Sequence, residues 1–149
     1  MQRVWSLVAL LAVLALPVSA QEAAPPRTPA DTLPAAVVQR FVDAANARDA
    51  TAMSALVAPE AVFQRFPGGE VMAESREAVR ALYTKLLPQL ASGTRVTVER
   101  RIVEGNLVID HEQFTVMPTE QRRATWIYRV RGALIDRAWR LDGHPAAAP

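Results

Sequence analysis

The sequence predicts a single α+β domain in which helices come first and consecutive strands follow. Segments of helical periodicity fill the first half of the domain, and alternating segments separated by glycine-containing turns fill the second half. Hydrophobic residues make up 50% of the 149 residues and charged residues 21%, which is enough apolar material for a core and excludes a disordered protein. This order of elements favours helices packed on one face of an antiparallel sheet.

Residues 1–20 are typical of a secretory signal peptide. Arg3 supplies a positive start, an unbroken run of ten apolar residues covers Leu7 to Leu16, and small residues precede an expected cleavage after Ala20. An uncleaved anchor is the alternative, but the run is shorter than the roughly 20 residues that span a bilayer. We therefore expect a periplasmic or secreted protein with no membrane attachment after cleavage.

The segments around the domain are expected to be loose. Residues 21–33 are rich in proline and alanine and are interpreted as a linker, and residues 143–149 as a disordered tail that contains His144. The folded domain is therefore placed at residues 34–142.

Composition excludes several classes of site. The chain has no cysteine, so disulfides, thiolate metal sites and a lipidated cysteine anchor are absent, and two histidines are too few for a histidine-based metal site. Loss of Arg3 with the leader leaves 16 basic and 15 acidic residues. This near balance gives no reason to expect a nucleic-acid partner, and no cofactor is predicted.

Three helices are predicted from their start signals. Pro34 begins an amphipathic helix that ends near Asn46, and Asp49 caps a short helix over Ala50–Val57 that Pro59 ends. Ser75 caps a third helix with apolar residues at helical spacing as far as Leu87.

The strands are predicted from alternation and turn residues. A short strand, Ala61–Phe66, precedes the third helix, and four strands follow Gly93: Arg95–Val103, Leu107–Met117, Ala124–Arg131 and Leu134–Leu141. The turns between these four are Gly105-Asn106, Pro118-Thr119 and Gly132-Ala133.

Three stretches carry a family resemblance. VVQRFVDAANARDATAMSALVAPEAVF (Val37–Phe63), VIDHEQFTV (Val108–Val116) and IYRVRGALIDRAWRL (Ile127–Leu141) resemble the nuclear transport factor 2-like (NTF2-like) family, in particular its SnoaL-like and steroid-isomerase-like branch. The resemblance covers almost all of residues 34–142. It implies a cone-shaped fold in which N-terminal helices pack on a curved antiparallel sheet that encloses one pocket.

Ketosteroid isomerisation is the best-known chemistry of that branch, and the sequence does not support it. The reaction needs a carboxylate that moves a proton, and a tyrosine hydroxyl and a protonated aspartate that hold the dienolate oxygen. Alignment by resemblance places these three positions on Phe41, Arg65 and Trp126. Loss of one oxyanion donor alone costs about 10²–10³ in rate. The related epoxide hydrolases use an Asp-Arg-Asp set, of which Arg65 and Asp110 would supply only a part.

The densest polar cluster is Asp110-His111-Glu112, in the middle of a predicted strand. Alternation puts His111 on one face and both acids on the other. The resemblance puts His111 on the pocket side, and burial of one neutral imidazole costs less than burial of two carboxylates. On the next strand, the face that carries Trp126 and Tyr128 is expected to line the pocket. The opposite face of that strand carries arginines, which could pair with the two acids.

The predicted site therefore consists of one candidate catalytic residue and a set of candidate ligand-binding residues. His111 is the candidate general acid or base; its alternative is a structural role, hydrogen-bonded to Tyr128 or a carbonyl. The candidate ligand-binding residues are Gln64, Arg65, Tyr83, Trp126 and Tyr128. Arg65 is expected near the mouth of the pocket, where it could bind an anionic group of the ligand.

Three functions follow, in order of preference. The first is an exported module that binds a small hydrophobic ring-type molecule. The second is a SnoaL-like isomerase or hydrolase that uses His111. The third is a structural or dimerisation domain, with a second copy of the chain as partner.

Overall fold

The computed structural model describes residues 33–117 and 120–143. The predicted signal peptide, nearly all of the linker, the turn at 118–119 and the tail from residue 144 lie outside these residues. Within the described stretches, no helix has the length and apolar character needed to cross a membrane.

The helices agree with the start signals in the sequence. They are α1 (Pro34–Asn46), α2 (Ala50–Ala55) and α3 (Arg76–Leu86), and a 3₁₀ turn (Leu87–Gln89) follows α3. Asp49 accepts a hydrogen bond from the Ala52 amide, and Ser75 accepts one from the Ala78 amide. Both predicted caps are confirmed, since each side chain satisfies a donor of the first helical turn.

The strands are β1 (Val57–Arg65), β2 (Val71–Ala73), β3 (Val96–Glu104), β4 (Leu107–Met117), β5 (Glu120–Arg131) and β6 (Leu134–Asp142). Several details differ from the prediction. β1 and β5 each begin four residues earlier than expected, and β2, which is too short to show alternation, was not predicted. Pro59 lies inside β1 instead of ending a helix. Pro59 falls where the pairing of β1 with β6 shifts register, between Val57 and Val62, so its missing N–H interrupts no regular ladder.

The described strands form one open sheet in the order β2-β1-β6-β5-β4-β3. Neighbouring strands are antiparallel except β1 and β6, which are parallel, so the sheet is mixed. The helices pack on one face, and the predicted α+β class is confirmed. Register shifts in the β3–β4 and β5–β6 pairs are bulges, which bend strands and increase their twist.

The core lies between the helices and the inner face of the sheet. Alternate residues of β5 are buried there, from Ala124 to Val130, as the sequence predicts. Phe41 of α1 is at the centre, with its ring centroid 6.0 Å from that of Phe63, 5.8 Å from Tyr83 and 5.9 Å from Tyr128. Each aromatic pair adds about 0.5–1.5 kcal/mol beyond its buried area.

Candidate functional site

A pocket of about 290 Å³ lies between α1, α3 and the inner face of the sheet. Apolar side chains dominate its lining: Phe41, Val42, Ala45, Met53, Met72, Leu82, Leu86, Leu87, Leu90, Val96, Phe114 and Trp126. The ionisable side chains that line it are Arg48, Tyr83, Glu112, Arg122, Tyr128 and Arg140. An apolar wall with a few polar groups is the usual composition of a small-molecule site.

Three of the predicted ligand-binding residues line this pocket: Tyr83, Trp126 and Tyr128. Trp126 and Tyr128 are neighbours on the inner face of β5, and their rings stack with centroids 5.6 Å apart and planes 10° apart. Tyr83 comes from α3 and meets Phe41 edge-on. The two elements thus place three aromatic rings around one cavity.

Gln64 and Arg65 do not line it. Gln64 is opposite Trp139 on the outer face, because its neighbour Phe63 points into the core. Arg65 stands at the end of β1, where its guanidinium is 3.3 Å from Glu70 and also contacts Asp142. Glu70 and Asp142 thus hold the Arg65 side chain away from the pocket.

The face assignment for β4 is corrected. Asp110 is fully buried and Glu112 is 5% exposed, both on the inner face, where Asp110 is opposite Trp126. His111 therefore lies on the outer face, with its Nδ1 3.0 Å from Thr125 Oγ1. It lines a separate, polar depression on that face, together with Arg100 and Arg123.

Partners on neighbouring strands explain why the acids face inward. Arg101 of β3 binds Asp110 through two hydrogen bonds of 2.7 Å each, and it also donates to the Ala35 carbonyl and the Gln39 side chain of α1. Burial of a carboxylate is tolerated when a hydrogen-bonded cation accompanies it. Arg129 is one of the β5 arginines on the face that was expected to supply cations to the acids of β4, but it binds Asp136 at 2.8 Å.

Glu112 is the carboxyl group of the pocket, and the sequence prediction missed it as a site residue. Burial raises the pKa of Glu112 to about 8, and the negative charge of Asp110 adds to this effect. The hydroxyl of Tyr128, 3.3 Å from Glu112 Oε1, and the charges of Arg140 and Arg101 offset part of it. At neutral pH the side chain therefore holds its proton in an aromatic surrounding.

The two tyrosines of the pocket also stay neutral. Burial raises the pKa of Tyr83 and the pKa of Tyr128 well above the ordinary value for a phenol, and the nearby Glu112 adds to both shifts. Two neutral phenol groups and one carboxylic acid are thus among the hydrogen-bonding groups of the pocket.

The positive charges at the pocket are guanidinium groups. The guanidinium carbon of Arg140 is 5.8 Å from the Trp126 ring centroid and 5.9 Å from that of Phe114. Arg48 donates to the carbonyls of Leu87 and Leu90, and so fixes the segment after α3 beside the cavity. In the described part of the chain, histidine, aspartate and glutamate side chains form no group of three that would suit a metal ion.

Two of the three positions that the resemblance assigns to ketosteroid isomerase chemistry lie at the pocket. Phe41 and Trp126 line the pocket, while Arg65 does not. The tyrosine hydroxyls and the carboxyl group that do line it come from other positions, on α3, β4 and β5.

Residues 38–138 match the model of the SnoaL-like domain family. No curated protein matches the chain.

Solved structures similar to this chain share its fold. An NTF2-like protein of unknown function from Burkholderia xenovorans LB400 is 21% identical, with a TM-score of 0.66 over 78% of this chain and 87% of that one. A putative ketosteroid isomerase from Kribbella flavida DSM 17836 is 19% identical, with a TM-score of 0.63 over 80% and 84%. A hypothetical protein of ketosteroid isomerase-like fold from Catenulispora acidiphila DSM 44928, in complex with trimethylamine, is 16% identical, with a TM-score of 0.60 over 74% and 85%.

Proposed function

Because this chain belongs to the SnoaL-like domain family, we propose that it binds a small, mostly apolar ring molecule in the pocket between α1, α3 and the sheet. One fold hosts many functions, so the residues of the pocket, more than the fold, indicate what this protein binds.

The aromatic wall is the observation that carries the proposal. Trp126 and Tyr128 present stacked rings on one side, and Phe41 and Tyr83 meet edge-on beside them. A ring-shaped ligand can stack on or meet the edges of these rings, and its apolar surface leaves water on binding. The volume of about 290 Å³ is close to the lower limit of roughly 300 Å³ for small-molecule sites, which favours a ligand of one or two rings.

Thermal unfolding of the purified protein with a set of small ring compounds tests the proposal. A ligand at 100 times its dissociation constant stabilises the fold by about 2.7 kcal/mol, which corresponds to several degrees in a domain of this size. Ala45 lines the pocket, so Ala45→Phe is expected to fill it and remove the ligand-induced shift. Ala81 is exposed on α3, so Ala81→Phe is the matched control and keeps the shift. Absence of a shift with every compound would contradict ligand binding.

Glu112 favours a second candidate function, proton-transfer catalysis of the isomerase or hydrolase type. A carboxylic acid that keeps its proton near neutral pH can donate it to a bound substrate and take it back from another atom. Glu112 is at the pocket, whereas His111 is on the outer face. With a ring compound that the protein turns over, Glu112→Gln is expected to abolish turnover and keep binding, while His111→Gln keeps both. Turnover lost only in the His111 variant would favour the original histidine hypothesis.

Export remains part of the proposal on the strength of the leader alone. Cleavage after Ala20 would give a mature chain that starts at Gln21. N-terminal sequencing of the protein recovered outside the cytoplasm tests this, and a chain that retains Arg3 would contradict it.

A further inference from the structure

This inference rests on the proposed function, since it concerns the ligand class of the same pocket. We propose that the pocket selects ring compounds that carry one carboxylate group, which the guanidinium of Arg140 binds while the ring packs on the aromatic wall.

At neutral pH the charged side chains that line the pocket are all positive. Three guanidinium groups line the pocket, those of Arg48, Arg122 and Arg140, against the single carboxyl group of Glu112. Glu112 keeps its proton, because burial raises its pKa to about 8. The hydrogen-bond partners of Arg48 in the described chain are backbone carbonyls, which bind its N–H groups without cancelling its charge. The lining therefore carries more positive than negative charge, even though Asp142 offsets part of the charge of Arg140, and an apolar ligand with a negative group complements it.

Arg140 is the cation best placed to bind that group. Its guanidinium is held against the rings of Trp126 and Phe114, and its side chain is 23% exposed. Its carboxylate neighbour Asp142, 2.9 Å from Nε, also contacts Arg65, so two guanidinium groups share one carboxylate. The planar fork of an arginine matches the two oxygens of a carboxylate.

The position of Arg140 relative to the wall sets the shape of the ligand. Arg140 lies over the Trp126 ring, and Trp126 stacks on Tyr128. A ring bound against this wall brings a substituent at its edge next to the guanidinium. The same charges disfavour an amine, because an ammonium group would meet guanidinium groups and an uncharged Glu112.

Three naphthalene probes of nearly equal size separate the alternatives: 2-naphthoate, 2-naphthamide and 2-(aminomethyl)naphthalene. Calorimetric titration of the purified protein at pH 7 is expected to give the tightest binding for 2-naphthoate, about tenfold tighter than 2-naphthamide, which is the effect of one charge-assisted hydrogen bond. Equal affinity for the amide, or preference for the amine, would overturn the inference and leave ring binding in place. Failure of all three probes to bind would overturn both the inference and the proposed function.

Variants of Arg140 locate the carboxylate. Arg140→Gln is expected to remove the preference for 2-naphthoate over 2-naphthamide, and Arg140→Lys to restore part of it. Arg137→Gln is the matched control, because Arg137 is on the same strand, opposite Arg129 on the outer face. Thermal unfolding without ligand establishes that each variant is folded. A folded Arg140→Gln protein that keeps the full preference would overturn the role of Arg140.

Discussion

Glu112 links the chemistry of the pocket to the stability of the fold. Its carboxyl group is surrounded by charged and titratable groups from four strands and a helix: Arg101 of β3, Asp110 of β4, Tyr128 of β5, Arg140 of β6 and Tyr83 of α3. Burial has the largest effect on its pKa, and the folded protein holds the proton more tightly than the unfolded chain does. A group of this kind stabilises the fold when protonated and destabilises it when ionised.

The upward shift of the Glu112 pKa on folding makes the stability of the protein depend on pH. The pKa of Glu112 rises from 4.5 to about 8 on folding. Its contribution is therefore complete below pH 4.5 and is lost progressively as the pH rises to about 8. Glu112→Gln, which has no proton to lose, is expected to remove this decline. Urea denaturation of both proteins at several pH values from 5 to 8 measures it; parallel stability curves would show that Glu112 ionises normally.

At the level of elements, a buried ion pair ties the sheet to the first helix. Arg101 of β3 pairs with the fully buried Asp110 of β4, and the same guanidinium reaches the start of α1 at the carbonyl of Ala35. A buried pair stabilises little relative to apolar residues of similar size, but removal of one partner leaves an uncompensated charge. The pair thus fixes how α1 docks over β3 and β4.

Arg101→Met tests that role. The variant leaves Asp110 buried without its cation, so a loss of about 3–5 kcal/mol is expected. The double variant Arg101→Met with Asp110→Val removes both charges and is expected to recover a large part of that loss. Arg123→Met is the matched control, because Arg123 and Glu99 form an exposed pair at 3.3 Å whose loss costs about 1 kcal/mol or less. Chemical denaturation measures these variants together with the single variant Asp110→Val, and additive effects of Arg101→Met and Asp110→Val would show that the buried pair is not coupled.

For the whole molecule, local signals predicted the elements well because caps, helical spacing and strand alternation act within a few residues. The inward face of β5 followed from alternation alone. The parallel pairing of β1 with β6 did not, since no residue near β1 encodes a partner some seventy positions away.

The inward direction of Asp110 on β4 is predictable from strand pairing. The tight turn at Gly105-Asn106 pairs Glu104 with Leu107, and counting outward places Arg101 opposite Asp110. That count would have shown a cation for the inward acid and reversed the comparison of burial costs. The raised pKa of Glu112 could not have been predicted in this way, because it depends on burial in the folded chain and on groups from separate strands.

The outer face of the sheet carries a row of apolar side chains through which two copies of the chain could associate. Ile102, Ile109, Ile127 and Trp139 are register partners on successive strands, so they form an apolar row across β3, β4, β5 and β6. This face is opposite the helices, and among the described elements none covers the row. Ile102 is 37% exposed. A twofold axis through the middle of the row would lay it against the same row of a second copy, as an isologous dimer requires.

A dimer through this row is the expected outcome. Sedimentation velocity at micromolar concentration should show a dimer for the wild-type protein and a monomer for Ile127→Lys, because a lysine at the centre of the row would place two ammonium groups in the interface. Thr97→Lys is the matched control, because Thr97 is exposed on β3 opposite Gln113 and outside the row. Since the pocket opens on the other face, Ile127→Lys should bind pocket ligands as the wild type does. A wild-type monomer, or a dimer that Ile127→Lys leaves intact, would show that copies of the chain do not associate through this face.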